Sequence, residues 1–206
     1  MLAYLIQGIG YGFAAAVQPG PFQTYLISQT LSKGWRLTLP AALAPLISDG
    51  PIIVVALVVL SQVPVWFQRF LYIAGGLFIL YLAYSAFVAW RTYDKSGVVT
   101  DSSGRQSVVK AAMMVALSPG PYIYWSLVTG PILLTGWREA PANGLGFLVS
   151  FYATIVLSLS GIIVVFGKAR QLGPKVNRTL LGVSAITLVC FGLYQLWLGV
   201  AGGRTG

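Results

Sequence analysis

The chain has 206 residues, of which 57% are hydrophobic and only 8% charged, and its formal net charge is +9. Soluble domains carry about a quarter charged residues, so a water-facing globule is excluded. A basic excess would point to nucleic acid in a soluble protein, but here the charges sit in short loops between apolar runs, where they set membrane topology.

Apolar runs of about 20 residues recur along the whole length, which makes the chain a polytopic helical membrane protein. The first run lacks the basic start and small-residue cleavage site of a signal peptide and reads as a span. Span 1 runs from about Leu2 to Leu31 and is interrupted by Gln18-Pro19-Gly20-Pro21. Span 2, from about Thr38 to Leu60, contains Pro40, Pro45, Asp49 and Pro51, and span 3 covers Phe70 to Trp90. The stretch Arg91 to Ser107, rich in Ser, Gly and charge, reads as a cytoplasmic linker. Span 4 covers Val108 to Leu134 and is interrupted by Ser118-Pro119-Gly120-Pro121. Span 5 runs from about Asn143 to Phe166 and span 6 from about Thr179 to Val200.

The two halves repeat. Pro19-Gly20-Pro21 matches Pro119-Gly120-Pro121, and Gly34-Trp35-Arg36 matches Gly136-Trp137-Arg138. Three spans per half is an odd number, so the second half enters the membrane the other way up, as an inverted repeat. The expected fold is all-α: one membrane domain over 1–206, built of three-helix repeats at 1–90 and 108–206 joined by the linker 91–107. Lys33, Arg36, Arg91, Lys95, Arg105, Lys110, Lys168, Arg170, Lys175 and Arg178 fall on one side, and Arg69, Arg138 and Arg204 on the other. That asymmetry puts both termini outside and the linker in the cytoplasm. Trp35, Trp66, Trp90, Trp137 and Trp197 fall near span ends, as an aromatic belt would place them.

A proline inside a helix removes a donor and clashes with the preceding turn, at roughly 3 kcal/mol relative to alanine. In lipid, broken backbone is tolerated only where it is buried in protein or lines a wet cavity. Counting from Lys33 and Lys110, the breaks lie roughly 18 and 14 Å deep, near the middle of a ~30 Å core. Paired breaks in corresponding places point to a binding site between transporter repeats.

Asp49 is the one acidic residue inside a span; Asp94, Asp101 and Glu139 lie in loops. Removal from water favours its neutral form, the property a proton carrier needs, and intramembrane acids mark ion or substrate paths. The blander role is a protonated acid that satisfies a backbone break near Pro45 or Pro51. Gln18, Gln23 and Thr24 flank the first break; Ser118, Tyr122, Tyr124 and Ser126 flank the second. With Pro19, Gly20, Pro21, Pro119, Gly120 and Pro121 they form the expected substrate-binding set. The half-helix after each break offers unpaired amides to an anionic group, and Asp49 is available to an ammonium group or a proton. Gln and Ser also glue helices together, and Gly8 and Gly12 have the spacing of a close-packing motif. Cys190 reads as a core side chain. One cysteine and no histidine remove a disulfide framework, a thiol pair and a His/Cys metal site, so no metal and no cofactor is expected.

The proline-glycine-proline break in span 1, the Lys/Gly/Trp turn after it and Ser48-Asp49-Gly50 in span 2 resemble the lysine-exporter (LysE) family of amino-acid efflux proteins. The resemblance covers essentially the whole chain. It implies export of a small amino acid or relative across a bacterial inner membrane, driven by protons or the membrane potential. On this resemblance Gln18, Pro19, Gly20 and Pro21 match the signature break and Asp49 the family's acid. Span 4 departs: many relatives carry an Asn-Pro-Lys start where this chain reads Ser118-Pro119-Gly120-Pro121.

The leading expectation is therefore a secondary exporter, not an enzyme, working by alternating access. Its partners are a small-molecule substrate and membrane lipid, with no nucleic acid; a homo-oligomer is compatible with the sequence. An electron-relay protein would need a thiol pair, and a metal-ion exporter would need His, Cys or several carboxylates. A membrane hydrolase would need a nucleophile and a base. A receptor-like protein leaves two costly breaks at one depth unexplained.

Overall fold

The computed structural model describes residues 1–55, 65–96, 104–169 and 173–201, and these are helical nearly throughout. Helix α1, Leu2–Val17, stops where Pro19 forces Gln18 out of the helical region, at φ −58° and ψ 119°. Gly20 is extended, and Pro21 opens α2, Pro21–Lys33, at the first-turn position proline tolerates. Gly34, at φ 93°, closes α2 in a backbone region that a side chain would strain. The short α3, Trp35–Thr38, and a 3-10 turn over Leu39–Leu43 lead into α4, Ala44–Val54, which carries Pro51 in its interior.

Next come α5, Val65–Ser96, and α6, Gly104–Ala116. The two ends of the expected linker are thus helical, with 91–96 continuing α5 and 104–107 opening α6. Residues 97–103, the end of span 2 beyond 55, Arg170 and Arg204 lie outside the described residues. Ser118 is extended before Pro119, which opens α7, Pro119–Tyr124. A π turn, Trp125–Thr129, joins α7 to α8, Gly130–Glu139; in it the Gly130 N–H donates to the Trp125 carbonyl five residues back. Pro131 has no N–H for the Leu127 carbonyl, so the ladder loses a rung where the turn widens. Helices α9, Pro141–Ala169, and α10, Pro174–Ala201, both open on proline.

The proline penalty expected from the sequence needs correcting. Pro21 and Pro119 start helices, where their missing N–H groups would be unpaired in any case, so the interior cost falls on Pro51 and on Pro131.

Helix α1 packs along α9, α6 along α4 and its preceding 3-10 turn, and α5 along α10. The first pairing depends on small residues. A Cβ on Gly8 would collide with Ser150 Oγ, and one on Gly12 would lie 2.5 Å from the Phe151 carbonyl oxygen. Tyr25, Leu26, Trp125, Phe147 and Phe151 are the bulk of a core that runs between the two halves of the sequence. The outer surface is apolar too: Leu2, Ile6, Ile9 and Phe13 are exposed along one face of α1, and Val149, Leu157 and Val165 along α9. In water such a surface would aggregate, but it suits a hydrocarbon solvent.

Among the described residues, Trp35–Val54, Val65–Thr92, Pro141–Ala169 and Pro174–Ala201 are long and apolar enough to cross a membrane. Helix α1, with 16 residues, reaches roughly 24 Å and does not cross a ~30 Å core alone. Basic ends gather together: Trp35 lies against Gly167, Arg178 over the Trp90 ring, and Lys33 near Lys110. In a separate cluster, Tyr4 lies against Gly136 and Trp137 against Gly144. Cys190 corrects the sequence reading, because it is exposed on α10 rather than part of the core.

Candidate functional site

Asp49 sits on α4 and is 5% exposed, walled in by helices from the second half of the chain. Trp125 Nε1 donates to its Oδ2 at 3.4 Å, and the Tyr152 hydroxyl donates to the same oxygen at 3.2 Å. Oδ1 is buried and, among the described residues, has no partner. A lone buried acceptor costs about 1–3 kcal/mol, and native interiors keep few of them. One oxygen is therefore anchored and the other stands ready for a proton or a donor group.

The two donors are positioned by the local backbone. Trp125 opens the π turn, six residues past Pro119, so the helix break and the lost rung at Pro131 bracket the residue that reaches Asp49. Its ring is 1% exposed, edge-on to Phe151 at 5.5 Å and stacked on Tyr152 at 6.4 Å. Tyr152 lies on α9 next to Phe151, whose carbonyl and Cα press on Gly12. The close α1–α9 approach thus fixes the segment that presents the Tyr152 hydroxyl.

The residues expected around the breaks divide into two groups. Most of the polar ones satisfy carbonyls left open by the helix ends. Gln23 Nε2 donates to the carbonyls of Ala16 at 3.1 Å and Ala15 at 3.4 Å, and Thr24 Oγ1 to that of Gly20 at 2.9 Å. Ser118 Oγ donates to the Met114 carbonyl, the Tyr122 hydroxyl to that of Ala116, and the Tyr124 hydroxyl to that of Tyr11. Ser126 Oγ is buried without a partner, whereas Gln18, Pro19 and Gly120 are exposed. Pro119 is buried, and Gly20, Pro21 and Pro121 are half-buried. The hydrogen bonds join Asp49 to the arm that follows the second break; among the described residues none joins it to the first.

Trp125 and Tyr152 were not among the residues singled out from the sequence. Trp125 lies between two that were, Tyr124 and Ser126. Tyr152 lies in span 5, which contributed no residue to the expected site. Among the described residues there is no cluster of His, Cys, Asp or Glu able to hold a metal ion.

A bundle with an apolar exterior, helices long enough to span lipid and a buried carboxyl held across its two halves defines a polytopic membrane protein with a polar interior site. The chain belongs to the LysE type translocator family, whose model matches residues 13–199. It is accordingly a membrane transporter, of a family that carries amino acids or related compounds in efflux. A search of the curated proteins finds no match, and neither does a search of the solved structures.

Proposed function

We propose that the protein is a secondary exporter of a small amino acid or related metabolite, coupled to protons or the membrane potential, with Asp49 as the coupling group. The observation that carries this reading is the state of the Asp49 carboxyl: Oδ2 is tied to Trp125 and Tyr152, and Oδ1 is buried and unengaged. Oδ1 receives either a proton or the ammonium group of a substrate. The substrate's carboxylate lies against the first turn of α2, whose free amides and dipole favour negative charge. Gln18, Pro19, Gly20, Pro21, Gln23 and Thr24 line that side. Ser118, Pro119, Gly120, Pro121, Tyr122, Tyr124 and Ser126 line the other.

The chain crosses the inner membrane of a bacterium six times as two inverted three-helix repeats, with both termini outside and spans 1 and 4 broken. Two observations support this arrangement. The packing is exchanged between halves, since α1 lies on α9 of the second half and α6 on α4 of the first, while α5 pairs with α10. The basic ends of α2, α5, α6, α9 and α10 also gather at one end, the expected cytoplasmic side. Rocking of one repeat against the other exposes Asp49 to each side in turn.

The test is reconstitution of the full chain into proteoliposomes, with a panel of amino acids screened for flux under an imposed pH gradient and, separately, an imposed potential. The reading expects gradient-driven flux of a small subset of the panel. Absence of gradient-stimulated flux for every member overturns it.

A further inference from the structure

Helices α2, α5 and α6 meet at the end of the bundle that carries Lys33, and the side chains they bring together are polar and positive. Lys33 is the last residue of α2 and Lys110 lies on α6. Both are half-buried, and they are close enough for the Lys110 charge to act on Lys33. The Lys110 ammonium stands 5.3 Å from the centre of the Tyr81 ring on α5, and Tyr81 in turn neighbours the Tyr25 hydroxyl of α2. Among the described residues, no carboxylate pairs with either lysine. Like charges brought together at a partly buried place oppose each other's ionisation, and an anion between them would offset that repulsion.

A line of unmatched polar atoms leads away from the two lysines. One turn before Lys33, Gln29 is 7% exposed and its Oε1 has no partner among the described residues; Ser28 Oγ and the Tyr25 hydroxyl, further along α2, are buried in the same condition. One turn before Lys110, Ser107 is fully buried and its Oγ has no partner among the described residues. Buried polar atoms without partners are few in native proteins and call for an explanation, a ligand among them. Two plainer roles exist for the lysines. Lys33 complements the dipole at the end of α2, and both add to the basic side of the membrane. Neither role accounts for the unmatched atoms of Ser107 and Gln29.

We propose that Lys33 and Lys110, backed by Ser107 and Gln29, form an oxyanion site between α2 and α6 that takes a carboxylate or a phosphate group. The site is separate from Asp49. Its ligand is either the carboxylate of a free amino acid or the phosphate of a lipid headgroup of net negative charge, unlike phosphatidylcholine, whose phosphate is offset by its own choline; the chemistry is shared, two ammonium donors and a hydroxyl around one negative oxygen set.

The experiment uses the full chain with its lysines converted to 13C-dimethyl-lysine, which keeps their charge, in lipid nanodiscs followed by NMR. In discs of phosphatidylcholine alone, sodium acetate moves the Lys33 and Lys110 signals together along one saturating curve, while Lys168 and Lys175 stay put. In discs containing phosphatidylglycerol, a lipid source leaves both signals already displaced and acetate without further effect; a free-carboxylate source leaves the acetate response intact. Either pattern supports the site and identifies its ligand. Lys33→Gln weakens the acetate response at Lys110 by roughly tenfold. Lys33→Arg restores it, and Ser107→Ala, a milder change, weakens it less. Signals at Lys33 and Lys110 that respond no more than those of Lys168 and Lys175 in both kinds of disc overturn the proposal. So does a Lys110 response untouched by Lys33→Gln. Flux by the wild-type protein in that event would leave the exporter reading standing, because this readout is binding alone.

Discussion

The Tyr152 hydroxyl lies 3.2 Å from Asp49 Oδ2, between residues 103 apart in the chain. Trp125 donates to the same oxygen from another helix of the second half. Among the described residues the first half's acid is thus anchored by the second half alone, and sliding of one half past the other must strain one bond or both.

Tyr152→Phe removes one anchor and leaves the ring stacking in place. The expected loss of stability is about 1 kcal/mol, the net worth of one hydrogen bond. Flux falls several-fold, beyond what that small destabilisation explains. Trp125→Phe acts in the same direction, and the double variant departs from additivity because both donors share Oδ2. Thermal unfolding in detergent alongside proteoliposome flux checks the pair; strict additivity in both readouts would argue against a shared anchor.

Pro21→Ala and Pro121→Ala restore backbone N–H groups next to the two breaks and lower the cost of a continuous helix by roughly 3 kcal/mol each. Both variants are expected to fold and to lose most of their transport. Cysteine accessibility at neighbouring positions provides the check, and a break sealed from water in every state would contradict its place at the site.

Gly12→Val forces a Cβ against the Phe151 carbonyl oxygen, 2.5 Å from where it would sit, and pushes α1 off α9. The expected cost is about 1–3 kcal/mol. Gly10→Ala, whose Cβ meets nothing within 4 Å, is expected to be neutral or up to about 1 kcal/mol stabilising. Melting temperatures of the two variants should diverge.

Burial first, and then the Lys110 charge, push the Lys33 ammonium below the ordinary lysine value. A group with a lowered value sheds its proton earlier as the pH rises. The acetate response at Lys33 should therefore fade on the alkaline side before ordinary lysines titrate, and Lys110→Gln should move that fading to higher pH. Tyr81 and Tyr25 also face the pair. Lysine signals followed across an alkaline titration read it directly.

Much of the fold is legible in the sequence because membrane rules are local. Long apolar runs, a lone acid inside one of them and proline pairs inside two others carry their meaning within a few residues. The family could be read for the same reason, since its marks are the first break and Ser48-Asp49-Gly50. Trp125 and Tyr152 are harder to see. An aromatic residue in an apolar span looks the same whether it faces lipid, as exposed Tyr84 and Trp197 do, or a buried carboxyl. Only the pairing of α4 with the arm after the second break and with α9 distinguishes them, and that is a long-range fact. Pro131 is the available local hint, because a further proline ten residues past Pro121 invites a widened turn. Cys190 was misread because its hydrophobicity says buried, but in lipid an apolar face can be an outer face. Gly34 and Gly136, matched in the sequence, differ in the structure: the first ends a helix at positive φ, and the second lies inside α8.

The most direct test compares wild-type protein and Asp49→Asn in proteoliposomes, measuring net flux driven by a pH gradient beside exchange of labelled for unlabelled substrate without one. The account predicts a folded variant whose gradient-driven flux drops to background. Gradient-driven flux at the wild-type level in Asp49→Asn would contradict it.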